Sequence, residues 1–565
     1  MKSEKFMGLS LIFVIIGSTL LLTYFRWIES GLHFGILIAA VVLIAVSALF
    51  SFEAIRRDPS KIYFFLLVIT IMMFSLSIIR SVRFEVFSGL GSPDNLGEYF
   101  VAKATLSRGH WGGDYGVPLD RRPTPYFLSL SVTILPVIFS QITGMNLFTI
   151  FVLIYPIIFS LIPTIVFLLV KEVFGKTELA ALSAILYCEL FQFTSPQHGR
   201  QYIALLLLAL TLFVAFKSVI TSKRRNYLIL FLMFEFGVVT SHYTVSYIAT
   251  PMFLSIIVAS SSMSNSSDKT SRNFFNKYTF VYWFILVISW LSFNHLQFFV
   301  ENISTAESSI LAVLGLTQPK WLSATRIPGR TSDPLTLIWY LFQTVAIIVG
   351  LFVIYLKEKR SAKKIAWIIS GFILFGILFI SAVTPIFSTV LGFNRVYSIA
   401  SIIFVSFLAY GLLRTRKRLG GVFFIIFLVL NLTINMSLTS HLNYVLYSPE
   451  NSVPPELAIS QTYSRAHEFT MFEWIQEHLL SSQRISVDLR GAINMFFVLN
   501  HTPVDVTYPD FAYDSKYLAL HFYTLKYGLW WSREQGISKV NNLDELVINS
   551  SVVYNNGESM FLLSK

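Results

Sequence analysis

Two carboxylates four residues apart, Asp94 and Glu98, stand in the longest polar interval of the first four hundred residues, GSPDNLGEYFVAKATLSRGHWGGDYGVPLDRRPTPYF at 91–127. On a helix this spacing puts both on one face, where two like charges repel by about 0.2–0.5 kcal/mol unless a proton or cation is shared. One of them can take a proton from an acceptor hydroxyl or amide, while both together can hold a divalent cation such as Mg or Mn. The competing expectation is structural. Ser92-Pro93-Asp94 is a good helix start, and Asp94 would then be an N-cap.

A second group is cationic. Arg121, Arg122, Arg200, Arg326, Arg330 and Arg395 all fall in or beside polar connections. A guanidinium matches phosphate oxygens in a bidentate fork, so arginines at a membrane surface suit a phosphorylated lipid; they also snorkel to headgroups with no further role. His110, His198 and the His242-Tyr243 pair lie in similar places and offer zinc ligands, proton relays or donors to a phosphate. No HExxH or other fixed ligand spacing accompanies them. The segment 298–333 carries Glu307 beside Arg326 and Arg330 and reads either as a lid or as a peripheral amphipathic helix.

The elements that must hold these residues are apolar. Of 565 residues 55% are hydrophobic and 13% charged, with a mean hydropathy of +0.65. That is too little polar surface for a soluble chain of this size. Runs long enough to cross a hydrocarbon core of about 30 Å recur. Thirteen are expected, at 7–25, 32–52, 62–80, 147–170, 178–193, 201–220, 226–241, 244–262, 278–297, 334–356, 364–383, 395–413 and 420–439. The first follows Lys2 and Lys5 without a small-residue cleavage site and is expected to be a retained helix.

The net charge of +12 is spread in short basic runs between the apolar ones, a membrane topology signal rather than a nucleic-acid footprint. With the N-terminus cytoplasmic, the inner segments carry 23 of the 43 Lys and Arg. That balance requires 126–146, YFLSLSVTILPVIFSQITGMN, to stay at the outer interface or re-enter rather than cross. The polar interval at 91–127, the segments at 194–200, 241–243, 298–333 and 384–394, and everything after 440 then face out.

The expected domains are an N-terminal set of spans at 1–80, a long outer loop with interfacial helices at 81–146, a bundle at 147–439, and a soluble extracytoplasmic domain at 440–565. Within the last, HEFTMFEWIQEHL reads as an amphipathic helix, RISVDL as a strand, AINMFFVLN as a helix, and VVYNNGESMFLL as a hairpin turning at Asn555-Asn556-Gly557, which predicts a small α/β fold. The lone Cys188 permits no intramolecular disulfide. No Gly-rich phosphate loop and no GxSxG is present, which argues against ATP hydrolysis and serine-esterase chemistry.

The stretch IIRSVRFEVFSGLGSPDNLGEYFVAKATLSRGHW, followed in order by SVTILP, HGRQYIA, SHYTVSYI and GFNRVYSIA, resembles the GT-C superfamily of integral-membrane glycosyltransferases, and most of all an archaeal branch of it. The resemblance implies a polytopic helical fold and sugar transfer from a polyprenyl (dolichyl) phosphate carrier to an extracytoplasmic glycan, lipid or protein at the cell membrane. It implies a base role for Asp94 with Glu98 as second carboxylate, and donor-phosphate contacts from Arg200, His242 and Arg395. The pattern departs from the superfamily in two ways. Two spans precede the usual first helix, and WWSREQG at 530–536 stands where oligosaccharyltransferases carry WWDYG. A lipid-linked glycan flippase, and a polysaccharide polymerase or ligase relying on Arg200 and Arg395, are the rival expectations.

Overall fold

The computed structural model describes residues 3–26, 34–82, 93–111, 129–190, 199–218, 224–263, 280–290, 334–358, 361–383 and 393–435, and short strands and single helical positions between 471 and 564. Two compact units emerge. The first comprises Met1–Ile79, Leu128–Ser131 and Leu153–Tyr447; the second comprises Arg80–Phe127, Val132–Val152 and Ser448–Lys565.

The first unit is helical throughout its described part. Helices α1 (Ser3–Arg26), α2 (Phe34–Arg57) and α3 (Ile62–Val82) open it. α1 and α2 pair closely: Ser10 donates to the Ser47 carbonyl at 2.9 Å and Ser47 returns a bond to the Ser10 carbonyl at 2.7 Å. Small hydroxyl residues let two helices approach while meeting each other's backbone, a useful device where water is scarce. Asp58 then caps the short turn Pro59–Lys61 by accepting from Ser60 N.

The expected span at 147–170 is broken. It consists of Leu147–Thr149, a π turn at Ile150–Ile154, Tyr155–Phe159, and helix α6 (Ile162–Phe174). Pro156 and Pro163 each stand at the start of one of these pieces, where a missing N–H costs nothing. α6 ends at Gly175, whose φ of 68° closes the last turn onto the Lys171 carbonyl at 2.8 Å.

Helices α7 (Thr177–Glu189), α8 (Gly199–Ser218), α9 (Arg224–Ser241), α10 (Tyr243–Met263), α11 (Phe280–Trp290), α12 (Pro334–Lys357), α13 (Ala362–Val383) and α14 (Phe393–Asn435) complete the bundle. α14 runs without interruption for 43 residues. The two spans expected at 395–413 and 420–439 are therefore joined by helix rather than by a loop, because RTRKRL is a run of good helix formers despite its charge. In all, seven described helices are long and apolar enough to cross a membrane and five more are apolar but shorter, against the thirteen spans expected.

Ion pairs tie basic segments together at the ends of the bundle helices. Glu172 is held by Lys217 at 2.9 Å and Lys363 at 2.5 Å; Glu358 by Lys176 at 2.5 Å and Lys364 at 2.8 Å, with the Tyr410 hydroxyl donating to it at 3.0 Å. Elsewhere α7, α12 and α14 share a buried polar node. Asn431 donates to Glu189 at 3.1 Å and accepts from Trp339 Nε1 at 3.2 Å and from Gln343.

The second unit holds α4 (Pro93–Arg108) and α5 (Ile134–Thr143). α5, with ten residues, rises about 15 Å, half of a hydrocarbon core. It is capped by Gly144 at φ 71°. Five strands of this unit form a mixed sheet in the order β2-β1-β3-β7-β6, from β1 (Ile485–Val487), β2 (Val504–Val506), β3 (Tyr517–Leu520), β6 (Ser550–Asn555) and β7 (Met560–Ser564). β1 lies parallel to β2 and β3, and β7 is antiparallel to β3 and β6. RISVDL thus contains a strand, and VVYNNGESMFLL pairs as a hairpin with a bulge between Val552 and Tyr554. The tryptophans of WWSREQG begin a separate hairpin of β4 (Leu529–Ser532) and β5 (Gly536–Lys539). Within HEFTMFEWIQEHL, Met471, Trp474, Ile475 and His478 are helical, with Met471 and Ile475 buried. AINMFFVLN lies outside the described residues.

Candidate functional site

α9 and α10 form a tight helical hairpin with His242 alone at its apex. Phe231 and Phe253, each eleven positions from that apex, meet ring to ring at 5.7 Å, which fixes the two helices as antiparallel. The turn satisfies its own backbone. His242 N donates to the Val238 carbonyl at 3.1 Å, Ser246 N and Oγ both reach the His242 carbonyl, and Leu130 N closes the Thr240 carbonyl at 2.9 Å. A helix end whose orphan groups are met this way holds its side chains in place.

Beside that apex the first turns of two other helices arrive. α8 begins at Gly199 and brings Arg200 and Gln201; Tyr202, next along, stacks on Phe159 with centroids 4.4 Å apart and anchors the turn. α14 begins at Phe393 and brings Arg395 and Ser398. Gln201 Nε2 donates to Ser398 Oγ at 2.9 Å, and Ser398 Oγ donates to the Arg395 carbonyl at 3.2 Å, so the two turns are tied directly.

Tyr243 is the common neighbour. Arg395 Nη1 lies 3.4 Å from its hydroxyl, the Arg200 guanidinium sits 5.9 Å from its ring centroid, and the His242 imidazole stacks on it at 5.1 Å with planes 15° apart. Arg200 and His242 are buried, at 2% and 1% exposure. Arg395 and Tyr243 are half-buried.

The electrostatics of this arrangement are mainly positive, although at the apex the negative end of α9 offsets the positive end of α10. Helix N-termini carry a positive partial charge that favours anions, and a cation there is misplaced by a few tenths to one kcal/mol. None of the three helices has an acidic residue in its first turn, and two of them put an arginine there. The positive ends of α8 and α14 and two guanidiniums gathered at one tyrosine form a setting suited to an anion with several oxygens.

The carboxylates lie on α4, in the second unit. α4 runs from Pro93 to Arg108 and carries Asp94 as its second described residue. Glu98 is fully buried on the face that also buries Val101, Ala102 and Thr105, one turn after position 94. His110 is exposed, with Nδ1 at 3.1 Å from the Arg108 carbonyl. Arg121, Arg122, His198, Glu307, Arg326 and Arg330 lie outside the described residues. Among the described residues no three His, Cys, Asp or Glu side chains gather as a metal-ligand set.

Of the residues expected from sequence, Arg200, His242 and Arg395 are brought together. Gln201 and Ser398 carry no such expectation, and Tyr243 is expected only as the partner of His242. The signal for Tyr243 was its place beside His242 in a polar turn between two apolar runs.

Residues 227–562 match the family described as predicted membrane protein (DUF2206), and the chain belongs to that family. It is a membrane protein. A comparison with curated proteins gives no match. Among solved structures it is similar to the Archaeoglobus fulgidus oligosaccharyltransferase in the apo form, at 12% identity and a TM-score of 0.46 over 81% of this chain and 70% of that one. It is similar to the mycobacterial arabinofuranosyltransferase AftD at 14% identity and 0.46, over 81% of this chain and 36% of that one. ArnT from Cupriavidus metallidurans bound to undecaprenyl phosphate aligns at 10% identity and 0.45, over 89% of this chain and 98% of that one. Likeness at this level leaves function to the residues of the chain itself.

Proposed function

We propose that this protein is a GT-C-type membrane glycosyltransferase that moves a sugar from a polyprenyl (dolichyl) phosphate donor to an extracytoplasmic glycan, lipid or protein. The observation that supports it best is the convergence of Arg200 and Arg395, each in the acid-free first turn of its helix, on Tyr243. The donor's phosphate would bind there, with His242 beside it. Arg121 and Arg122 would add to the phosphate contacts, and Glu307, Arg326 and Arg330 would belong to a covering loop.

The chemistry follows from the group that departs. Asp94 accepts the proton of an acceptor hydroxyl as its oxygen bonds to the anomeric carbon; the bond from that carbon to the phosphate oxygen breaks, and the configuration inverts. The negative charge that grows on the phosphate is met by the two guanidiniums, which gain strength as it forms. Carboxylates one helical turn apart can share a divalent cation, so Asp94 and Glu98 are the residues that would hold Mg or Mn, which would supply Lewis-acid activation. The protein would lie in the cell membrane with its N-terminus cytoplasmic and its C-terminal domain outside.

The arginine cluster also favours a second reading, a polymerase or ligase acting on lipid-linked glycan, in which Asp94 is dispensable. Binding of undecaprenyl phosphate to the purified full chain, followed by melting temperature, tests the site common to both. Arg200→Ala and Arg395→Ala are each expected to weaken binding about 10- to 100-fold, the usual loss for one charged hydrogen-bond partner. Equal binding by wild type and both variants would place the phosphate elsewhere.

A further inference from the structure

The two arginines are 195 positions apart in the chain and stand on different helices. Resting on the phosphate-site reading above, we infer that Tyr243 is the positioning residue of that site, holding the two guanidiniums by two different handles. Arg395 takes the hydroxyl at 3.4 Å; Arg200 lies toward the ring face at 5.9 Å, within the range of a cation–π contact. The ring is itself packed by His242, stacked at 5.1 Å, and by Tyr247 one turn along, at 6.2 Å and edge-on. Two like charges that would repel are thus kept near one another on a neutral group, already spaced before an anion arrives. Preorganisation of this kind strengthens binding by removing the cost of gathering the charges at the moment of contact.

The two handles separate cleanly by substitution. Tyr243→Phe keeps the ring and deletes the hydroxyl, so it removes the contact to Arg395 and leaves the one to Arg200. Tyr243→Leu removes both contacts. With undecaprenyl phosphate as the probe and the full-length protein in detergent, Tyr243→Phe is expected to weaken binding about tenfold, near the net value of one hydrogen bond to a charged group, and Tyr243→Leu about a hundredfold. The melting temperature of the unliganded Phe variant stays that of wild type.

The decisive readout is the pair of double variants. In an Arg395→Ala background, Tyr243→Phe costs nothing further, because its partner is already gone; in an Arg200→Ala background it still costs about tenfold. A merely structural tyrosine would give the same loss in both backgrounds, and that result would overturn the inference. So would wild-type affinity in the Phe variant. Failure of wild type itself to bind the probe overturns the phosphate site and this inference together, which distinguishes the two cases.

Discussion

At the scale of single residues, what was legible was the chemistry of side chains close in sequence. Asp94 and Glu98 were readable as a helical pair because their spacing is local, and α4 does carry both. The role of Tyr243 was not readable, since Arg395 lies 152 positions away and only the bundle brings it to the phenol. Glu358 shows the same limit. Burial alone would raise its carboxyl, but hydrogen bonds from Lys176, Lys364 and Tyr410 together outweigh it and hold the group at about 2. A carboxylate depressed in the fold contributes stability that is whole above its ordinary value near 4.5 and drains away as pH falls toward 2. Melting temperature measured from pH 6 down to pH 3 should therefore fall below about pH 4.5 in wild type. Glu358→Gln should start lower at pH 6 and lose less over the same interval; identical slopes would show that the lysines and Tyr410 do not hold Glu358 in this way.

At the scale of elements, apolar runs announced helices, and the hairpin of β6 and β7 followed from its Asn-Asn-Gly turn. The span expected at 147–170 is present as an apolar stretch, Leu147–Phe174, but Pro156 and Pro163 start new helical pieces within it. The basic run at 414–419 is helical rather than a loop: charge marks a membrane boundary, yet Arg and Lys propagate a helix well. Close approach between elements was equally invisible. A Cβ at Gly350 of α12 would come within 2.0 Å of the Phe407 carbonyl of α14, a backbone atom that no rotamer change can move. Gly350→Ala should destabilise the protein by about 1–3 kcal/mol, the usual range for forcing atoms into a packed contact. Gly376→Ala, on α13 with open space around it, serves as the control and should leave the melting temperature unchanged.

At the scale of the whole molecule, the membrane class was written in composition. The first unit gathers three of the basic runs around Glu172 and Glu358, and three of the polar connections around Tyr243. Cations stand at positive helix ends in both places: Lys176, Lys363 and Lys364 at the starts of α7 and α13, where Glu358 and Glu172 pair with them, and Arg200 and Arg395 at the starts of α8 and α14.

The measurement that tests the account most directly is transfer of radiolabelled sugar from polyprenyl phosphate carriers by the purified protein, with Asp94→Asn beside wild type. Loss of a general base typically costs 10²- to 10⁴-fold, so the account predicts transfer by wild type and at least a hundredfold less by the folded variant, with undecaprenyl phosphate binding retained in both. Transfer at near wild-type rate by Asp94→Asn, or carrier moved across liposomes with no sugar transferred, would contradict it.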